Sequence, residues 1–137
     1  KMVQIGQRTT GYSADDFEWV RQQGVRLVNA EECWYQSLTP LMAEVRETIG
    51  TETPVYLSFD IDGIDPAFAP GTGTPEPGGL TNTQAIEIIR GCWGLNLVGS
   101  DLVEVSPQYD TTGNTALLAA NLVFEMLCSF PGCLRRD

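Results

Sequence analysis

Pro54-Val55-Tyr56-Leu57-Ser58-Phe59-Asp60-Ile61-Asp62-Gly63-Ile64-Asp65-Pro66 is the stretch that decides the fold. Val55, Tyr56, Leu57 and Phe59 form a near-continuous apolar run, which suits a strand covered on both faces. Such a strand belongs to a parallel sheet between helical layers, and the flanking sequence supplies them. Upstream, residues 3–6 and 25–28 read as shorter strands. Between them Ser13 opens a helix, with Asp16 at capping-box spacing and Gly24 as the stop. A second helix spans about 37–49, with Pro40 in its first turn and Leu38, Leu41, Val45 and Ile49 on one side. Downstream, Thr81 caps a third helix, Gln84 completes its box and Gly91 ends it. Residues 95–105 hold one long strand or two short ones. Asn114 then caps a last helix, and its Leu117, Leu118, Leu122, Phe124 and Leu127 surround so much of the axis that it is expected to be well buried. The order β-α-β-α-β-loop-α-β-α predicts an α/β fold: a mostly parallel sheet with helices on both faces and its chemistry at the carboxyl ends of the strands.

Three carboxylates, Asp60, Asp62 and Asp65, fall within six residues at the end of the central strand. Asp60 and Asp62 are two apart, so on an extended backbone their side chains point to the same side. Like charges held together raise each other's pKa unless something positive sits between them. A divalent cation meets that need; oxygen-only ligands suit Mg²⁺, Ca²⁺ or Mn²⁺, and added imidazoles would favour a transition metal. The competing reading is that the aspartates cap turns, as Asp does before Gly or Pro, and it fits Asp65-Pro66 better than the other two. A calcium loop of EF-hand type fails, because the fifth, sixth and twelfth positions from Asp60 hold Ile64, Asp65 and Gly71.

Nine of the seventeen residues from 63 to 79 are Gly or Pro. The segment is either a plain surface connection or a stiff wall for a ligand pocket, since Pro fixes its path and Gly permits close approach. Asp101 and Glu104 also lie near a strand's carboxyl end. Glu104 sits between Val103 and Val105 and points away from both, toward a face where a carboxylate is costly without a partner. A structural Lys or Arg is one candidate partner; a cationic ligand group, such as a guanidinium gripped by both carboxylate oxygens, is the other.

Composition bounds the partners. The 137 residues are 42% hydrophobic and 19% charged, an ordinary globular balance at single-domain length. Eight Lys and Arg against eighteen Asp and Glu give a net charge of −10, which argues against nucleic acid and anionic membranes. The longest apolar-rich stretch, 116–130, contains Asn121 and Glu125 and falls short of the roughly 20 residues of a membrane span. No secretory leader opens the chain, and Lys1-Met2 directly before an apolar strand reads as an excerpt. Cys33, Cys92, Cys128 and Cys133 form no CxxC pair and there is no histidine, so they are expected to be reduced, mostly buried thiols of an intracellular protein.

The motif 58–66, followed by Ala69-Pro70-Gly71-Thr72-Gly73-Thr74-Pro75 and Gly78-Gly79-Leu80, resembles the ureohydrolase (arginase/agmatinase) family. Residues 94–99, 101–107 and 113–122 resemble its agmatinase and guanidinobutyrase branch. The likeness runs through essentially the whole chain but corresponds to the C-terminal half of the family's domain. It implies a three-layer α/β/α fold, with residues 1–137 as the C-terminal part of a single ureohydrolase domain. It also implies hydrolysis of a guanidino compound to urea and an amine with two Mn²⁺ ions. By motif, Asp60 and Asp62 resemble metal ligands, with Asp60 as the bridge between the ions. Glu104 resembles the carboxylate that orients the substrate guanidinium, and Thr74 the loop threonine lining the pocket. The implied chemistry is attack on the guanidinium carbon by water whose pKa the metals lower, with Asp62 stabilising the tetrahedral intermediate.

The family's remaining ligands, two histidines among them, come from motifs this chain does not contain, so it is not expected to be catalytically competent alone. The resemblance points first to agmatine, a dication compatible with the acidic balance, and second to 4-guanidinobutyrate. It further implies a homo-oligomer, trimer or hexamer, when complete, in the cytoplasm or, in vertebrates, the mitochondrion. The different-class alternative is a short non-catalytic relative that binds or regulates the full enzyme.

Overall fold

The computed structural model describes residues 1–8 and 13–133. Along the chain run β1 (Met2–Gln7), α1 (Ala14–Gln22), β2 (Val25–Asn29), the single turn α2 (Ala30–Cys33), α3 (Thr39–Ile49), β3 (Pro54–Asp60), α4 (Asn82–Gly91), β4 (Asn96–Val103) and α5 (Asn114–Cys128). Short 3₁₀ turns occupy Ile61–Gly63, directly after β3, and Pro107–Tyr109. The strand–helix alternation predicted from the sequence is present, and every strand pairing is parallel.

The sheet is nevertheless in two pieces among the described residues. β1 pairs with β2 from Met2↔Val25 to Gln7↔Asn29, and β3 with β4 from Pro54↔Asn96 to Asp60↔Val103. No ladder joins the pairs. Instead an apolar cavity of about 330 Å³ lies between β1 and β3, lined by Val3, Ile5, Val55 and Leu57 and by Met42 and Ile88 of the helices beneath. The two edges face each other across this cavity and are not joined by backbone hydrogen bonds among the described residues.

Local signals placed most helix ends correctly. The Asp16 carboxylate accepts from Ser13 N–H at 2.9 Å, and Thr81 and Gln84 form a reciprocal box, Gln84 N–H to Thr81 Oγ1 at 3.2 Å and Thr81 N–H to Gln84 Oε1 at 3.0 Å. α2 has the same device, Asn29 N–H donating to Glu32 Oε1 at 2.8 Å. The start of α5 departs from expectation. Asn114 is its first residue, not its cap; Gly113 takes φ +74, and the Asp110 carboxylate accepts from the Thr115 and Ala116 N–H groups at 3.1 and 2.8 Å. Those bonds hold the Asp110 pKa below its usual value.

Leu38, Met42, Ile61, Ile64, Ile89, Leu122 and Met126 form the most deeply buried part of the core. The last helix is less buried than its composition predicts. α5 packs Ala119, Leu122 and Met126 inward beside α4 and β4, but Leu117 is 72% exposed and Phe124 61%. Only one side of this all-round apolar helix has a neighbour among the described residues. The same geometry corrects the cysteine expectation: Cys33 and Cys92 are buried, whereas Cys128, at the end of α5, and Cys133 are exposed. Among the described residues no helix is long and apolar enough to cross a membrane.

Candidate metal and substrate site

β3 delivers Asp60 to the carboxyl end of the sheet, with Phe59 buried behind it. Asp62 does not share a strand face with Asp60, as alternation predicted, because the chain leaves the strand there. Asp60 Oδ1 accepts from Asp62 N–H at 2.8 Å and so caps the 3₁₀ turn that carries Asp62. The turn still brings both carboxylates to one small cavity of about 270 Å³, lined also by Arg8, Gly63, Thr74 and Glu76. Thr74 Oγ1 donates to Asp62 Oδ2, which places the predicted pocket threonine on the predicted acidic pair. The other oxygen, Asp62 Oδ1, is buried and has no hydrogen-bond partner among the described residues. Partial burial pushes the Asp60 pKa up. The Asp62 N–H opposes the rise, while the neighbouring charges of Asp62 and Glu104 add to it and Arg8 offsets part.

Arg8 is a participant that the sequence gives no sign of. From just beyond β1, its Nη2 donates to Asp62 O at 2.7 Å and to Glu76 O at 2.6 Å, and its Nε to Glu76 O at 2.9 Å. One guanidinium thus ties the turn bearing Asp62 to the Gly/Pro-rich loop. These partners lie 54 and 68 residues away in sequence, beyond the reach of any local motif.

Asp65 is a turn clamp, the reading its Pro neighbour favoured. Its Oδ1 accepts from Ala67 N–H at 2.9 Å, and its Oδ2 from Gly78 and Gly79 N–H at 2.7 and 3.2 Å. These bonds, Ala67 first, lower its pKa. Leu80 N–H donates to Gly63 O and Asp65 N–H to Leu80 O, both at 2.9 Å, so the loop's two ends meet beside the acidic turn. The loop is therefore a seated wall, not a slack connection.

Glu104 lies outside the cavity but within electrostatic reach of Asp60. It is not part of an alternating strand: β4 ends at Val103, and Glu104 takes φ +67. For a residue with a Cβ such a conformation costs on the order of 1–3 kcal/mol and gathers at functional sites. No ion pair among the described residues involves Glu104, so none of them supplies the structural Lys or Arg considered for it. Asp101 is separate, its Oδ2 accepting from the Tyr56 hydroxyl at 3.0 Å.

The donor chemistry fits a hard divalent cation in part. Asp60 and Asp62 offer oxygens only, and the buried, unpartnered Asp62 Oδ1 is the kind of atom a cation satisfies. Yet no three His, Cys, Asp or Glu groups converge as a metal site among the described residues.

An acidic pair thus stands at the carboxyl end of a parallel strand of an α/β fold, walled by a clamped loop. The sequence pattern of the arginase family matches residues 1–128, and the chain belongs to that family. It is 71% identical over 136 residues to a guanidinobutyrase of Pseudomonas aeruginosa, covering 99% of this chain and 42% of that protein. It is 64% identical over 132 residues to a mitochondrial agmatinase of Gallus gallus, covering 96% of this chain and 38% of that protein. Among solved structures, the proclavaminate amidino hydrolase of Streptomyces clavuligerus matches with a TM-score of 0.87 and 43% identity, over 94% of this chain and 42% of the other. The chain thus spans about two fifths of the length of the relatives it matches.

Proposed function

We propose that this chain is the C-terminal part of a single ureohydrolase domain that hydrolyses a linear guanidino compound to urea and an amine. The observation that carries the reading is the Asp60–Asp62–Thr74 cluster, with its buried unpartnered carboxylate oxygen, at the end of β3. Asp60 and Asp62 would hold part of a Mn²⁺ pair, and the remaining ligands would come from chain outside these residues. Bound there, the metals supply Lewis-acid activation of water. Thr74 orients Asp62 through its hydroxyl, so that Asp62 would be placed to stabilise charge that develops on the substrate. Glu104, which forms no ion pair among the described residues, accepts two N–H groups of the guanidinium in a fork. The cavity between β1 and β3 fits the same reading, because two parallel pairs separated by an apolar slot leave room for sheet supplied by the rest of the domain.

The substrate we place first is 4-guanidinobutyrate, on the strength of the guanidinobutyrase relative. The motif-based expectation of agmatine is kept second, because a net charge of −10 favours a dication and an agmatinase is also among the relatives. The complete protein would act as a homo-oligomer in the bacterial cytoplasm or the mitochondrion. Urea release by the full-length, manganese-loaded protein tests the proposal. Faster turnover of 4-guanidinobutyrate than of agmatine is expected; the reverse order would reinstate agmatine, and no urea from either would sink the hydrolase reading. The alternative of a short regulatory relative draws on the lack of a third ligand group among the described residues, and an intact native mass near 15.0 kDa would favour it.

A further inference from the structure

The backbone turns sharply at Glu104, and its environment says what holds it. Immediately after β4 the residue adopts φ +67, where side-chain-bearing residues are rare. Two hydrogen bonds bracket the turn: Thr72 Oγ1 donates to Glu104 O at 3.1 Å, and Ser106 N–H donates to Gly71 O at 2.8 Å. Thr72 is only 3% exposed, although Gly73 and Thr74 beside it are exposed.

The base under this contact is firm. Gly71 N–H donates to Thr115 Oγ1 at 2.8 Å, and Thr115 is fully buried in the first turn of α5. A Cβ at position 71 would lie 2.5 Å from Asp110 Cβ and 2.9 Å from Thr115 Oγ1, so only glycine lets the loop come this close. Thr115, Gly71, Thr72 and Glu104 form one connected path from the start of α5 to the end of β4.

We propose that Thr72 is a positioning residue for Glu104: its hydroxyl holds the Glu104 carbonyl, keeping residue 104 turned out of the strand line with its carboxylate on the Asp60 side. The inference rests on the reading of Glu104 as the carboxylate that meets the guanidinium. Valine has nearly the shape of threonine, so Thr72→Val removes the donor and leaves the packing, and Glu104 can then relax toward ordinary extended backbone.

The test uses the full-length, manganese-loaded protein, with KM, kcat and metal content measured for Thr72→Val, Thr72→Ser, Glu104→Gln and the double variant Thr72→Val/Glu104→Gln. Thr72→Val is expected to raise KM at least about tenfold, in keeping with the cost of misplacing a substrate-orienting group, with metal content unchanged. Thr72→Ser, which keeps the hydroxyl, restores most of the loss. In the Glu104→Gln background Thr72→Val adds nothing further, because the two residues act as one unit. A Thr72→Val enzyme with wild-type KM beside a crippled Glu104→Gln enzyme overturns the positioning role alone. Equal effects of Thr72→Val in both backgrounds overturn it too. Wild-type kinetics of Glu104→Gln overturn the reading beneath it. Should Thr72→Val not fold, Thr72→Ala carries the same expectations.

Discussion

Replacing Asp65 by Asn should loosen the loop that walls the acidic cavity, and its cost can be worked from three bonds. The carboxylate accepts from Ala67 N–H at 2.9 Å, Gly78 N–H at 2.7 Å and Gly79 N–H at 3.2 Å. An asparagine keeps one oxygen for Ala67 and turns an NH₂ toward Gly78 and Gly79, whose N–H groups then lose their acceptor. Bonds to a charged group contribute roughly 1.5–3 kcal/mol each; Gly79 is buried and Gly78 half-buried, so water recovers part, leaving a loss of about 2–4 kcal/mol. The sign of the pH dependence follows from the lowered Asp65 pKa. A carboxyl whose folded pKa lies below its ordinary 3.8 stabilises the fold fully above that value and loses the contribution as pH falls through the folded pKa. The gap between wild type and Asp65→Asn should therefore be constant at neutral and mildly acidic pH and close only below about pH 3.8. Thermal unfolding of the full-length protein and the variant, followed across that range, reads the gap directly. A loss under about 0.5 kcal/mol at neutral pH, the scale of an ordinary surface substitution, would refute the clamp. A gap that persists unchanged through acid would refute the charge's part in it.

Three further outcomes follow from the packing. Gly71→Ala should cost roughly 1–3 kcal/mol of stability by thermal unfolding, since its Cβ meets Asp110 and Thr115 inside 3 Å. Leu122→Ala, which empties a fully buried site between α5 and its neighbours, should cost about 2–5 kcal/mol in the same assay. Burial pushes the Cys92 thiol up to about 11, so only roughly one in a thousand is thiolate at pH 8. Mass-resolved alkylation of the native protein should therefore label exposed Cys128 well before Cys92, and equal rates would contradict the burial assigned here.

What could be read in the sequence was local or repeated in pattern. The apolar run 54–59, the Ser13/Asp16 and Thr81/Gln84 boxes and the Asp65-Pro66 turn are decided by neighbours within a few residues, and the structure has all of them. What misled was long-range. Asn114 looked like the cap of α5, but Asp110 reaches five and six residues forward, to the Thr115 and Ala116 N–H groups, to supply it. Alternation put Asp60 and Asp62 on one strand face, whereas a 3₁₀ turn capped by Asp60 itself brings Asp62 to the same cavity. Arg8 and Thr72 carried no signal, because each acts on backbone carbonyls more than thirty residues away, where any residue type presents the same acceptor. The division of the sheet into two pairs also follows from which edges meet, and that is not written in either strand's own pattern.

Manganese binding by the complete protein should depend on Asp60 and Asp62. The most direct measurement is the manganese retained by the full-length protein after loading and desalting, compared among wild type, Asp60→Asn and Asp62→Asn by elemental analysis. Wild type is expected to retain manganese and each variant to lose at least about half of it, since a metal ligand cannot be neutralised without weakening the site. Wild-type manganese content in both variants would contradict that dependence.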